Sequence, residues 1–318
     1  MLFSLPQSDA STDQLAGLAR ILQQFVADNL DAPPATTGKP VRLDALVSCL
    51  QRADVAAMQG LTASLLRAIK ILARRPDTRA TCTARNVATL LSHCSTTRHP
   101  DDAVEAVNAL VNLAHEPVNV RHLLAAKGEQ VLLRLLNECG HAATLHMVAA
   151  AAVQAVSFQA DGRAALLDVG AVPTLLRALA AADGVPILEQ RLAGGLQNLL
   201  SEHKGVALIR QHQGLPTLVR LLSTRHEGCL EAAVGCLHNM TRDPNCCEDL
   251  LHTPAAVAGL VALLASNSAQ AAALAAGVLV NILQRCRNAS VRAQVAQAMA
   301  GLIAGGAVCT ALFGEAGC

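Results

Sequence analysis

A short string, small or apolar–Leu–X–Asn–apolar, recurs along this chain at a nearly constant interval, and that interval restricts the possible folds more than any other feature. It reads ALVNL around Asn112, GLQNL around Asn198, CLHNM around Asn239 and VLVNI around Asn281. The steps between these asparagines are 86, 41 and 42 residues, the first being two steps of 43. The missing intermediate falls on Ala155, in AVQAV, and one step before Asn112 lies Lys70, in AIKIL. Asn29 continues the series weakly towards the N-terminus. A period of about 42 residues is the mark of a helical repeat array.

Two further columns keep the same phase. Leu91, Leu133, Leu176, Val219, Val261 and Ile303 follow one another at 42, 43, 43, 42 and 42 residues, each preceded by a leucine. Asn86, Gly128, Gly170 and Gly214 form a third column, with Pro173 and Pro216 just beyond its last two members. Glycine, and after it asparagine, tolerates the left-handed backbone of a tight helix–helix corner, and proline is accepted in the first turn of the next helix. The turn column is therefore expected to mark such corners.

Within one unit the pattern predicts three helices. A short first helix is expected over about 163–168, a second over about 173–181 and a longer third over about 186–201. In the third, Ile187, Leu188, Leu192, Leu196, Leu199 and Leu200 keep helical spacing. Two helices of similar length would suit a HEAT unit, and a tetratricopeptide unit would have a period of about 34 residues. The segments GRAALLDVGAVPTLLRAL from Gly162 and GLPTLVRLL from Gly214, with the third-helix asparagine, resemble armadillo repeats. The resemblance spans about residues 42–304 and names no particular member. It implies an all-α fold, a right-handed α-solenoid of armadillo-type three-helix repeats.

The expected organisation is an N-terminal helical cap over 1–30 and a linker over 31–41, rich in Pro, Thr and Gly. About six units follow over 42–304, with boundaries near 76, 117, 160, 203, 245 and 287. Residues 305–318 form a truncated last unit or C-terminal cap, apolar where a solenoid cap is normally polar.

Composition agrees with helices. Of the 318 residues 52% are hydrophobic but only 1% aromatic, with no Trp or Tyr, so the core must be Leu, Val, Ile and Ala. Charged residues are 15% and the net charge is +1, so no global field draws the chain to nucleic acid or an anionic membrane. The most apolar stretch, 262–283, carries Asn267, Ser268, Gln270 and Asn281 and fits the repeat, so no membrane span is expected. Eleven cysteines without CxxC pairing, after an N-terminus lacking a basic start and an apolar signal core, point to reduced thiols and a cytoplasmic protein, with nucleus and cilium left open.

In armadillo proteins of the importin-alpha and beta-catenin kind, the third helices line a concave groove whose asparagines hydrogen-bond an extended peptide. The resemblance implies that role for Asn112, Asn198, Asn239 and Asn281, with Lys70 in the same column and Gln197 and His238 beside it. A carboxamide offers both donor and acceptor to a peptide unit; the competing reading is that the asparagines satisfy carbonyls of their own chain. Importin-alpha carries a Trp one turn before each Asn, to hold a Lys side chain. Those positions here are Asn108, Ala151, Gly194, Gly235 and Gly277, so a receptor for basic nuclear-localisation signals is not expected. The three glycines, each costing a helix about 1 kcal/mol, point to close packing more than to an opened groove. Lys70 with Arg67 either snorkels at the rim or makes the groove's N-terminal part basic, while Arg191, Glu105 and Glu231 leave the lining mixed in sign. Arg134, Arg177 and Arg220 have the phase of an ordinary exposed row.

No enzyme signature is present: there is no G-x-S-x-G, phosphate-binding loop, H-E-x-x-H or dinucleotide glycine pattern. His93, Cys94 and His99 lack a fourth zinc ligand. Cys246 and Cys247, at the start of a first helix, are expected as small buried hydrophobes more than as reactive thiols. The expectation is a non-enzymatic protein-binding scaffold, with no cofactor, metal or small-molecule substrate. Two alternatives are a regulatory armadillo protein acting on a folded partner, such as an exchange factor for a small GTPase or an Hsp70, and an assembly factor or structural subunit of a larger, for example ciliary, complex.

Overall fold

The computed structural model describes residues 11–32, 42–58, 60–97, 99–138, 143–182, 184–286 and 289–304. Most of the linker and the whole expected C-terminal segment, 305–318, lie outside them. The described residues form helices and no strand. They divide into two compact units, one ending at Val169 and the other beginning at Gly170.

The first unit opens with α1 (Thr12–Asn29). Ser11 and Gln14 form a reciprocal capping box, each side chain accepting from the other's backbone N–H, so two otherwise orphaned donors are satisfied. Then come α2 (Asp44–Cys49), α3 (Ala53–Ala57) and α4 (Leu61–Leu72); α5 (Pro76–Ala80), α6 (Ala84–Thr96) and α7 (Pro100–Leu113); α8 (Pro117–Ala125), α9 (Gly128–Glu138) and α10 (Ala143–Ser157); and α11 (Ala160–Asp168). Helices α1, α4, α7 and α10 pack side by side in that order. Arg74 donates to the Leu30 carbonyl at 2.8 Å and ties the end of α1 to the end of α4.

The second unit contains α12 (Ala171–Ala181) and α13 (Pro186–Leu199). Next are α14 (His203–Gln211), α15 (Leu215–Arg220, continued by a 3-10 turn over Leu221–Ser223) and α16 (Glu227–Met240). The chain goes on through α17 (Pro244–Leu251), α18 (Pro254–Leu263), α19 (Ala269–Arg285) and α20 (Ala289–Ala304). Here α13, α16 and α19 pack side by side. Proline at the first position starts α13, α17 and α18, where its missing N–H has no helical partner to lose.

The first helix of the Asn198 repeat starts three residues before its expected start near 163, and the third ends at Leu199. The leucine column is the spine of the core. Leu90, Leu132, Leu175, Leu218 and Leu260 are all 0% exposed; burying each stabilises the fold by about 1.5–3 kcal/mol.

The turn column does something other than expected. Only Gly170 is left-handed, at φ 80°. At the other two corners the positive φ falls one residue earlier, on Lys127 (55°) and Gln213 (52°), and Gly214 is right-handed at −74°. These two glycines are needed for space. A Cβ on Gly128 would lie 2.7 Å from Leu123 Cδ2, and one on Gly214 would lie 2.8 Å from Leu176 Cδ1. Asn86 is no corner at all: it lies inside α6, where its N–H is capped by the Thr83 hydroxyl. Gln213 bears the cost of a left-handed L-residue, so Gln213→Gly should stabilise the chain by about 0.5–1 kcal/mol, read as a higher urea midpoint. No gain would mean that the Gln213 side chain makes a compensating contact.

The last unit also departs from the template. Helix α20 runs unbroken where a first helix, corner and second helix would be expected. Forty-two residues after Thr253 and Pro254, which break α17 from α18, stand Val295 and Ala296, neither of which interrupts a helix.

Candidate functional site

The asparagine column stitches neighbouring third helices together. Asn112 Nδ2 donates to the Lys70 carbonyl at 2.9 Å, and Asn239 Nδ2 to the Gln197 carbonyl at 2.9 Å. Asn281 Nδ2 donates to Thr241 Oγ1 at 3.2 Å, and Asn198 is engaged as well. All four are half-buried. A carboxamide carries two N–H groups and one carbonyl oxygen, and each of the three bonds given uses one N–H. The residues therefore have a structural duty that leaves part of their hydrogen-bonding capacity unspent.

Lys70 has a partner of its own. Its Nζ lies 2.6 Å from Glu105 Oε2, and Arg67 Nε donates to Glu105 Oε1 at 3.1 Å. The pair does not form a free basic patch: both cations on α4 converge on one carboxylate of α7, and the Lys70 side chain is only 16% exposed.

Two of the glycines in the tryptophan positions receive a side chain from the preceding third helix. The Gln197 carboxamide lies against Gly235, where a Cβ would come within 2.6 Å of its Cδ. The His238 ring lies against Gly277, where a Cβ would be 3.3 Å from Cε1. Gln190 meets Gly228 in the same way. Close packing explains these glycines. Burial, and then the neighbouring charge of Arg242, hold the His238 pKa below its usual value, so the imidazole is neutral at pH 7.

Glu189, on α13, is buried at 4% exposure and accepts from Arg220 Nη1 at 2.9 Å. Arg220 Nη2 also donates to the Leu179 carbonyl at 3.2 Å. Arg134, Arg177 and Arg220 are each exposed, but the last reaches inward to neutralise a core carboxylate.

A further column escaped the sequence pattern. Asn119, Gly162, Gly205 and Cys247 each stand six residues after a residue in or just past the last turn of a third helix, whose carbonyl they meet. Asn119 Nδ2 donates to the Leu113 carbonyl at 3.2 Å, and Cys247 Sγ to that of Thr241 at 3.3 Å. At Gly162 and Gly205 there is no side chain, and the backbones of Val156 and Leu199 come so close that a Cβ would overlap the carbonyl oxygen. Carbonyls in a helix's last turn have no intrahelical partner. A donor satisfies them, or a glycine lets the next helix approach.

The eight described cysteines are free and buried. Burial raises the thiols of Cys246 and Cys247 to about 12 and about 11, so neither is ionised at neutral pH. Among the described residues, no three His, Cys, Asp or Glu side chains converge as a metal site would need. No single described helix is long and apolar enough to cross a membrane. In the second unit a cavity of about 250 Å³ opens at the C-terminal ends of the third helices, lined among others by Ser201, Glu202, Asn239, Arg242, Asp243 and Arg285.

The family model of the Armadillo/beta-catenin-like repeat matches residues 203–242. No curated protein matches the chain. Among solved structures it is similar to an engineered protein at 21% identity and TM-score 0.77, covering 96% of this chain and 75% of that one. It is also similar to a designed armadillo repeat protein at 18% identity and TM-score 0.68, covering 76% and 99%. Another designed armadillo repeat protein, in complex with a (KR)4 peptide, is similar at 19% identity and TM-score 0.67, covering 76% and 99%. With the three-helix units and their side-by-side third helices, these likenesses give the fold: an all-α solenoid of armadillo-type repeats, in which residues 203–242 match the armadillo repeat itself.

Proposed function

We propose that this chain is a non-enzymatic scaffold that holds an extended segment of a partner protein against the third helices. The carrying observation is that Asn239 and Asn281 stand on neighbouring third helices of the second unit, each with one N–H anchored in the wall, as Asn112 is within the first unit. An anchored carboxamide has little freedom left to lose on binding, and its carbonyl oxygen and second N–H complement a peptide unit. Gln197 and His238 stand one residue before Asn198 and Asn239, and within the first unit Lys70 is ion-paired to Glu105. A solved designed relative bound to a peptide supports the mode of binding, not the identity of the ligand.

The double variant Asn198→Ala/Asn239→Ala tests this reading. Losing two hydrogen bonds to the partner, each worth about 1 kcal/mol, should weaken binding roughly 30-fold. The anchoring bond of Asn239 is lost too, so the melting temperature should fall by a few degrees, roughly 2–4 °C per kcal/mol. Equal affinity for the partner in folded variant and parent would overturn the assignment.

A further inference from the structure

We infer that the third-helix face of the second unit selects a partner segment of uncharged, hydrogen-bonding residues such as Ser, Thr, Asn, Gln and Gly, in preference to a basic or an acidic one. This rests on the groove reading above and specifies its ligand.

Helices α13, α16 and α19 carry five charged residues: Glu189, Arg191, Glu227, Glu231 and Arg285. Glu189 is buried against Arg220. Glu231 accepts from the Ser268 hydroxyl at 2.8 Å. Arg285 donates to the Arg242 carbonyl at 2.9 Å, and Arg191 is engaged. Glu227 is exposed, but in the first turn of α16, twelve residues and so about 18 Å along the axis from Asn239. The cavity at the C-terminal edge adds no net sign, because Arg242 and Arg285 stand there with Glu202 and Asp243.

What remains beside the asparagines is Gln197, the imidazole of His238, Val280 and Gln284. A Lys or Asp side chain brought onto this face would lose hydration and meet charges of both signs at its edge, not a field of one sign that repays the loss. An amide or hydroxyl side chain would find both donors and acceptors. The glycine notches that could have admitted a long side chain at Gly235 and Gly277 are already occupied by Gln197 and His238.

The test uses the full chain and three labelled peptides of equal length: alternating Lys/Arg, alternating Asp/Glu, and mixed Ser/Asn/Gln/Gly. Each is titrated at about 50 mM and about 500 mM NaCl, where the screening length falls from more than 10 Å to less than 5 Å. The neutral peptide should bind at least ~10-fold tighter than either charged one, and its Kd should change less than about twofold with salt. Its binding should be lost in the Asn198→Ala/Asn239→Ala variant. A charged peptide that binds tighter than the neutral one, and is lost in that variant, overturns the inference and leaves the groove reading standing. If no peptide binds, or binding ignores the variant, the groove reading fails and the inference with it.

Discussion

Replacing Arg220 by alanine is expected to destabilise the second unit by about 3–5 kcal/mol, because it strands the carboxylate of Glu189 in the core. Glu189 is 4% exposed, and its other neighbour, Cys229 Sγ at 4.0 Å, is a poor substitute for a guanidinium. The same change removes the donor to the Leu179 carbonyl, near the end of α12. At roughly 2–4 °C per kcal/mol for a chain of this size, the melting temperature should fall by more than 6 °C. Removing the charge as well should reverse most of the loss. Arg220→Met/Glu189→Gln is expected to be clearly more stable than Arg220→Ala alone, since a buried ion pair often breaks even against neutral groups of similar volume. If Arg220→Ala costs less than ~1 kcal/mol by urea titration, the pair is a surface ion pair in energy whatever its burial.

Gly205→Ala should cost about 3 kcal/mol, towards the upper end of the usual range for overpacking. The added Cβ would overlap the Leu199 carbonyl oxygen and lie 2.8 Å from its carbon. Both are backbone atoms, so no rotamer change relieves the overlap; α14 would have to back away from α13. Gly17→Ala is the internal control. Gly17 lies within α1, and a Cβ there would meet nothing within 4 Å, so the same substitution should stabilise that helix by up to ~1 kcal/mol. Thermal melts of both variants beside the parent decide the matter. A Gly205→Ala chain as stable as the parent would show that the junction column is not set by close backbone approach.

The two cases show where sequence periodicity stops being informative. Gly205 shares a structural duty with Asn119, Gly162 and Cys247, but an amide does it at Asn119, a thiol at Cys247 and the absence of a side chain at the two glycines. Only Gly162 and Gly205 share a letter, so a search for a letter recurring along the whole column passes over it. The leucine column is the opposite case, because only a large aliphatic side chain fills that place and the letter must repeat. Arg220 and Glu189 are 31 residues apart, off the repeat period, and nothing in either local pattern marks them as partners.

The candidate site divides in the same way. Its asparagines and glycines could be read from their spacing, and so could the absence of tryptophan. The direction in which each carboxamide points could not, nor could the convergence of Lys70 and Arg67 on Glu105, which removes the basic character their letters suggest. The turn column was legible as glycine but not as to cause: Gly128 and Gly214 supply room, and Lys127 and Gln213 take the positive φ.

By itself, then, the sequence determined the helical repeat, its phase and its aliphatic core, because helix spacing and burial are local demands repeated every 42 residues or so. Folding decided which charges cancel, which amide hydrogens are spent in the wall and which glycines are crowded. Those depend on distances between helices that meet only once neighbouring repeats have packed.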